Sequence, residues 1–492
     1  MIPARLNRAA QPRDYLWLGA ILVLATLLRL IGLNAPLWFD EIVTVNSYVR
    51  GPWGDILQGY SMNNHYLFTL QSKLSVSLFG PQTWAYRVPA VLFGVGTVGA
   101  IWWLARDVAG VMVAHISALL VALSYHQVWF SQNARGYTEL AFWSTLGMIL
   151  FLRGLHTPRR TIWIAYGLTL AAAVFTHLTG AFFFAAQGLV WLIFVAALAL
   201  RGQLSRDLIL SPLLGVLIGL ILLAAFYAPM LAEVLQTVGG VSQTSSIDLM
   251  QEYQTPLWAV LEGVQTAIGE AGVLPVMVMV MVVITACLGA IGTHRQAPLF
   301  AAMVLAHIGL TFVLLLTLGM RIWPRFFFAD IGFILILIVV GTSVGANFMA
   351  RIAARPQLER YLFMAVVAAM VLVSAVLVQR NYSAPKQNLA GAFELVETTR
   401  KPQERVYSVG HSGPLFTGFF GADWGNLMSQ QEYDNVLSAP GPITLVIPFP
   451  ARSHRMIPTL ATDTGNILHL IHRFPGTLGD GDVLILRRAG DG

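Results

Sequence analysis

This chain is poor in cysteine, in charge and in the spacings that hold metals. Its one cysteine, Cys287, falls inside an apolar run, so no intrachain disulfide can form and the redox compartment is unreadable. Charged residues make up 11%, against roughly 25% in soluble domains, which excludes an ordinary soluble fold. No His-x-x-x-His pair occurs, so the familiar helical zinc signature is missing. No repeat of fixed period and no low-complexity tract stands out, which argues against a solenoid. What the chain has instead is apolar residues, 56% of the total, gathered into runs long enough to cross a bilayer.

Eleven such runs are expected, near 15–33, 84–105, 110–129, 137–153, 162–176, 179–200, 208–228, 273–292, 298–319, 326–348 and 361–379. The first follows Arg5, Arg8 and Arg13 but lacks a small-residue cleavage site, so it reads as a retained anchor. Arginine distribution sets the orientation. With the N-terminus cytoplasmic, the inner segments hold Arg106, Arg153/Arg159/Arg160, Arg201/Arg206, Arg295 and Arg351/Arg355/Arg360. Loop 34–83, loop 229–272 and the tail then lie outside. The expected domains are a transmembrane module over 1–380, with those two outer loops, and a soluble extracytoplasmic domain over 381–492.

Loop 34–83 mixes apolar and polar residues over 42–50 and 65–79, as expected for helices lying in the interface. Loop 229–272 has Gly239-Gly240 and acids that include Asp248, Glu252, Glu262 and Glu270 but no Lys or Arg, which suggests a lid. In the tail, Val406–Val409, Ile443–Ile447 and Val483–Leu486 read as buried strands and 386–400 as a helix. The tail shows no nucleophile motif, so support or acceptor contact suits it better than catalysis.

Charge on the outer side is sparse, and therefore informative. Asp40 and Glu41 stand where the first span leaves the lipid. Two readings are open: they start a helix at Ile42, favoured by the helix dipole, or they work on a substrate. Asn64 and His65 share the same loop, Arg135 and Tyr137 follow the third span with Glu139 two residues on, His177 marks a short outer turn, and Arg321 and Arg325 end the ninth span. Each has a plain structural reading as a snorkelling arginine, a bonded histidine or a paired acid. Together they place a candidate base and several cations at one membrane level. That is the equipment for displacing a phosphate leaving group: a carboxylate takes the proton of an attacking hydroxyl, and guanidinium groups neutralise the departing phosphate.

The Asp40-Glu41 pair after the first span, the Asn64-His65 segment, Ser131-Gln132-Asn133-Ala134-Arg135-Gly136-Tyr137, and Tyr86-Arg87-Val88-Pro89-Ala90 leading to Leu104-Ala105-Arg106 resemble GT-C polyprenyl-phosphate-dependent glycosyltransferases. Protein O-mannosyltransferases and lipid A aminoarabinose transferases are the nearest in pattern. The resemblance implies a polytopic α-helical membrane protein of about 11 transmembrane helices with a small C-terminal α/β non-cytoplasmic domain. It also implies an inverting transfer of sugar from a polyprenyl-phosphate donor to a hydroxyl of an envelope acceptor. Asp40 corresponds to the catalytic carboxylate and Glu41 to a second acid, while Arg135, Arg325, Arg321 and His65 fall near the donor phosphate. Asn64, Tyr137, Glu139, His177 and Glu270 would line the substrate cavity. Relatives have His-Pro-Pro or Lys-Pro-Pro where Asn64-His65-Tyr66-Leu67 stands here, and more often Glu at the place of Asn133.

No cofactor is required for such a displacement, though His65 with Glu41 or Glu270 leaves room for a divalent metal. The expected partners are the lipid-linked sugar donor, a lipid, glycan or protein acceptor and membrane lipids, with no nucleic acid, and the chain is expected to act as a monomer. The expected location is the bacterial inner membrane, with the C-terminal domain periplasmic. Two other readings stay open: a polyprenyl-phosphate-linked lipid flippase or transporter, and a noncatalytic envelope assembly protein.

Overall fold

A computed structural model describes residues 10–157, 159–244, 273–294 and 296–488. Helices stand at all eleven expected spans: α1 (Pro12–Leu30), α4 (Thr83–Ala109), α5 (Val111–Leu123) with α6 (Tyr125–Ser131), α7 (Tyr137–His156), α8 (Arg160–Thr176), α9 (Gly180–Leu200), α10 (Asp207–Tyr227), α12 (Leu274–His294), α13 (Pro298–Thr317), α14 (Asp330–Ile352) and α15 (Leu358–Ser383). Among the described residues, seven are long and apolar enough to span a membrane by themselves, and the bent pair α5–α6 makes an eighth. The other three, α1, α7 and α8, are shorter or interrupted by polar side chains. Arg29 on α1 and Glu139 on α7 are fully buried, so those side chains face protein and not lipid.

The span expected at 110–129 is broken, with α5 and α6 meeting at 57°. A bend frees carbonyls at the end of α5 that hydrocarbon cannot satisfy. The buried Arg29 guanidinium supplies donors there, reaching Ala122 O at 3.3 Å and Val121 O at 3.5 Å while its Nε donates to Ser131 Oγ at 3.0 Å. Asn381 of α15 donates to Tyr125 O at 3.0 Å.

The segment 34–83, expected outside, forms α2 (Phe39–Thr44), continued by a π-type turn over Val45–Val49, and α3 (Tyr66–Phe79). In the fourth outer loop, α11 covers Leu231–Thr244. The rest of the expected lid, with Asp248, Glu252, Glu262 and Glu270, lies outside the described residues.

The crossing of α12 and α14 depends on two glycines because the backbones themselves touch. A Cβ on Gly341 of α14 would stand 1.8 Å from Thr285 O, and one on Gly289 of α12 would stand 1.9 Å from Leu337 O. Small residues permit such close approach between spans, where burial from water supplies no drive.

The tail begins with α16 (Leu389–Thr399) and carries a five-stranded sheet: β1 (Arg405–Val409), β2 (Gly425–Leu427), β3 (Ile443–Pro448), β4 (His469–Phe474) and β5 (Val483–Arg488). The order is β2-β1-β3-β5-β4, parallel between β2, β1 and β3 and antiparallel on either side of β5. Strand alternation divides its apolar residues between two faces. Leu445, Ile447 and Leu486 pack with Tyr433, Ile457 and Leu460. Val446, Val483 and Ile485 pack with α16 and, in the same cluster, with Leu37, Ile42, Val45, Phe68 and Ala134 of the membrane module. The expected strands and helix are present. Strands β2 and β4 escaped the sequence reading, since β2 is three residues starting at glycine and β4 is a mostly exposed edge strand with two histidines and an arginine.

Replacing Gly341 with alanine is expected to force α12 and α14 apart at a cost of about 1–3 kcal/mol, read as a lower melting midpoint in detergent. Alanine at Gly188 of α9, where an added Cβ meets nothing within 4 Å, should leave the midpoint unchanged or raise it.

Candidate active site

The adjacent acids at the start of α2 have opposite environments. Glu41 is completely buried. Its Oε1 accepts from Arg87 Nε at 2.7 Å and from Ala134 N at 2.6 Å, and its Oε2 accepts from Arg87 Nη2 at 2.7 Å and from Trp38 N at 3.3 Å. Burial alone would raise its pKa; the Arg87 charge and these hydrogen bonds outweigh it and hold the carboxyl below the ordinary range. The remaining guanidinium donors of Arg87 go to Leu33 O, Ala35 O and Pro36 O at 2.7, 2.8 and 3.1 Å. Glu41 thus caps the first turn of α2 and pins it to α4 and to the end of the first span. The helix-start reading of the sequence describes Glu41 well.

Asp40 points elsewhere. Its Oδ2 lies 3.2 Å from Arg325 Nη1, with the two side chains 15% and 28% exposed. Arg325 in turn stacks over the Trp323 ring at 4.5 Å.

Arg135 is buried one turn along α2 from Asp40. It donates to Thr44 Oγ1 (2.8 Å), Asn63 O (2.8 Å) and Asn63 Oδ1 (2.7 Å), and Thr44 Oγ1 donates back to Asp40 O at 2.9 Å. His65 accepts from Gly136 N at Nδ1 (2.8 Å), so the neutral ring carries its proton on Nε2. That nitrogen stands 3.1 Å from Arg135 Nη2. Two N–H groups therefore face one another, an arrangement that an anionic oxygen accepting from both would relieve. Burial, then the charge of Arg135, keeps His65 neutral well below its ordinary range. His177 packs edge-on against His65 at 4.6 Å and near Tyr137 at 5.6 Å. Burial, then Arg135 and Arg325, lowers its pKa to about 3.

Other expected residues turn inward. Asn64 donates to Ile56 O and accepts from Thr69, bracing the start of α3, and it is Asn63 that meets Arg135. Glu139 accepts from Gln71 at 2.7 Å and Trp143 at 3.1 Å, so it pairs with these amide and indole donors and not with Arg135. Arg321 is half-buried in the loop before Trp323. Tyr137 is buried with its ring at 4.9 Å from His65. Glu270 lies outside the described residues.

Of the metal candidates, Glu41 is paired with Arg87, and His65 accepts from Gly136 N at Nδ1 with its Nε2 facing Arg135. Among the described residues no group of three or more His, Cys, Asp or Glu could hold an ion.

Sequence reasoning missed Lys386. Its ammonium, half-buried at the start of the tail, donates to Gln132 O and to Asn133 Oδ1 at 2.7 Å, the oxygen that also accepts from Trp38 Nε1 at 2.6 Å. Burial lowers its pKa well below the lysine range; Glu41 opposes this and Arg87 adds to it. Arg87 was also missed as a site residue. The available signal was a cation inside an apolar span, near its outer end.

The comparisons agree with this architecture. The family model described as dolichyl-phosphate-mannose-protein mannosyltransferase matches residues 67–229, a stretch that includes Arg87, Arg135 and His177 but neither Asp40 nor Arg325. ArnT from Cupriavidus metallidurans bound to undecaprenyl phosphate is 15% identical, with TM-score 0.52 over 97% of this chain and 98% of that one. The chain shares the fold of that structure. The archaeal oligosaccharyltransferase AglB from Archaeoglobus fulgidus, in complex with an inhibitory peptide and a dolichol phosphate, is 12% identical with TM-score 0.54 over 89% of this chain and 70% of its own. An Archaeoglobus fulgidus oligosaccharyltransferase structure containing Zn and sulfate also matches, at 12% identity and TM-score 0.51 over 87% and 68%. No curated protein sequence matches.

Two outcomes follow from this site. Glu41→Gln leaves the Arg87 guanidinium buried without its counter-charge, so it should destabilise the fold by about 3–5 kcal/mol, whereas Asp40→Asn should melt near the wild type. The unfolded chain protonates His177 near 6.5 and the folded chain only near 3, so the unfolded state binds more protons between those values. Stability should therefore fall as pH drops from 7 to 5, and His177→Phe should shrink the difference in melting midpoint between those two pH values.

Proposed function

We propose that this protein is an inverting glycosyltransferase that moves a sugar from a polyprenyl-phosphate donor to a hydroxyl of an envelope acceptor on the non-cytoplasmic face. The observation that carries the reading is the Asp40–Arg325 pair at 3.2 Å, partly open to solvent and one helical turn from the opposed N–H groups of Arg135 and His65. The mannosyltransferase family match and the GT-C fold support a glycosyltransferase, and undecaprenyl or dolichol phosphate in the neighbouring structures supports a lipid phosphate carrier.

Asp40 accepts the proton of the acceptor hydroxyl, and that oxygen forms a bond to the anomeric carbon. The bond from that carbon to the carrier phosphate breaks, and its electron pair stays on the phosphate oxygen. Attack opposite the leaving group inverts the anomeric centre. Arg135, His65 Nε2–H, Arg325 and Arg321 are the cations and donors assigned to the phosphate; guanidinium suits this because its fork matches phosphate oxygens and keeps its charge. Glu41 holds the geometry and does not transfer the proton. No metal enters the scheme. The chain is an integral membrane protein, and we assign it to a bacterial inner membrane with its tail in the periplasm and active as a monomer.

A flippase or transporter would use polar groups within the spans, and one observation bears on that alternative: His307 of α13 bonds Asp330 of α14 at 2.7 Å, both buried. The pair is a closed contact between two spans and explains none of the surface cations.

Asp40→Asn should bind carrier phosphate yet transfer sugar about 10²–10⁴-fold more slowly, measured with polyprenyl-phosphate sugars and native membrane extracts. Wild-type rates in that variant would sink the base assignment. Arg325→Ala should weaken undecaprenyl phosphate binding about 10–100-fold, the loss of one charge-assisted bond. Lipid translocation without any transfer would favour the flippase.

A further inference from the structure

The turn at Phe449 in the C-terminal domain plays no part in the chemistry above, yet it is held in an unusual shape beside Asp40. Phe449 has φ 55° and Asp480 has φ 54°, left-handed backbone that bulky L residues rarely adopt. The two are joined: Asp480 Oδ1 accepts from Ala451 N at 2.7 Å and its Oδ2 from Arg452 N at 3.2 Å. Non-glycine residues persist in that region where their surroundings over-determine them, and they gather at ligand-binding sites.

The turn holds two side chains in place. The Phe449 ring meets Phe39, the residue before Asp40, edge-on at 5.3 Å. The Arg452 guanidinium lies 4.4 Å over Phe449 and 5.9 Å from the Trp323 ring. Arg325, the partner of Asp40, lies over that same indole. The contacts close a ring through Asp40, Arg325, Trp323, Arg452, Phe449 and Phe39, two of whose members come from the soluble domain. Arg452 Nε lies 3.6 Å from Asp480 Oδ2, and the arginine side chain is 29% exposed.

We propose that the Phe39–Phe449–Arg452 side of this rim is the acceptor subsite, with Arg325 at its border with the carrier phosphate, and that Arg452 selects an acceptor carrying an anionic group, carboxylate or phosphate, near the hydroxyl that Asp40 deprotonates. The inference rests on the transferase reading. In an inverting displacement the hydroxyl approaches from the side opposite the leaving phosphate. Arg135 and His65, assigned to that phosphate, connect to α2 through Thr44 at its C-terminal end. The rim meets α2 at its other end, at Phe39, and is partly built by the domain that stands outside the membrane. An acceptor reaching Asp40 from that domain meets Phe449 and Arg452 first. Aromatic rings suit the apolar faces of a glycan, and a guanidinium recognises a carboxylate or phosphate through its planar fork.

The test uses full-length protein in nanodiscs, with undecaprenyl phosphate as the binding probe and polyprenyl-phosphate sugars with native membrane extract for transfer. Arg452→Ala and Phe449→Ala should keep carrier affinity within twofold of the wild type, while Arg452→Ala lowers transfer at least tenfold through the acceptor KM. Arg452→Lys should restore part of that transfer and melt like the wild type. Labelled product from the wild type should be retained on an anion exchanger, and Arg452→Ala should lose that fraction selectively. Unchanged transfer in Arg452→Ala, a neutral wild-type product, or a tenfold loss of carrier affinity in Arg452→Ala (which would assign the residue to the carrier phosphate) each overturns the proposal. A wild type that binds carrier but transfers nothing overturns the transferase reading itself, and this inference with it.

Discussion

The buried ion pair between Glu41 and Arg87 is the constraint on which the outer face depends. It joins four separate pieces of chain: the end of the first span through Leu33, Ala35 and Pro36, the start of α2, the outer part of α4, and the turn at Ala134. Two charges in so dry a place are costly unless every donor and lone pair has a partner. Here nearly all of them do, and the geometry of Asp40 follows. Because Glu41 is fixed, the first turn of α2 cannot rotate, and the next carboxylate along is presented toward Arg325 and solvent.

Around this anchor, charge is distributed by depth. The buried Arg29 and Arg87 and the half-buried Lys386 are spent on carbonyls, amides and one carboxylate, holding broken helices and loop ends together. The half-buried Arg325 remains at the mouth with Asp40. Between the two layers, Arg135 and His65 are buried but mutually opposed as donors, which makes this the natural place for an anion. A site for displacing phosphate needs such a division: a rigid, satisfied frame and a small set of groups whose electrostatic demands a substrate completes.

The soluble tail is part of that frame. One face of its sheet shares a hydrophobic core with α2 and α3, Lys386 ties its first residues to the Gln132-Asn133 turn, and Thr477 accepts from Trp129 Nε1 at 3.2 Å. Its Phe449 turn completes the surroundings of Asp40. The boundary near residue 380 separates two compositions, but the packing crosses it freely.

The sequence by itself determined where helices stand, because hydropathy is local and repeats span after span. It also singled out Asp40, Arg135 and Arg325, from sparse charge between spans, as residues to be read together. Only the tertiary structure decided the division of labour between Asp40 and Glu41. The partners that separate them lie far along the chain, with Arg87 46 residues from Glu41, Ala134 93 residues away, and Arg325 285 residues from Asp40. No periodicity encodes such contacts. The bend at Ser124, the inward turn of Asn64 and Glu139, and the approach of Phe449 to Phe39 were unreadable for the same reason: each is set by which side chain packing brings near, and neighbours in sequence carry no record of it.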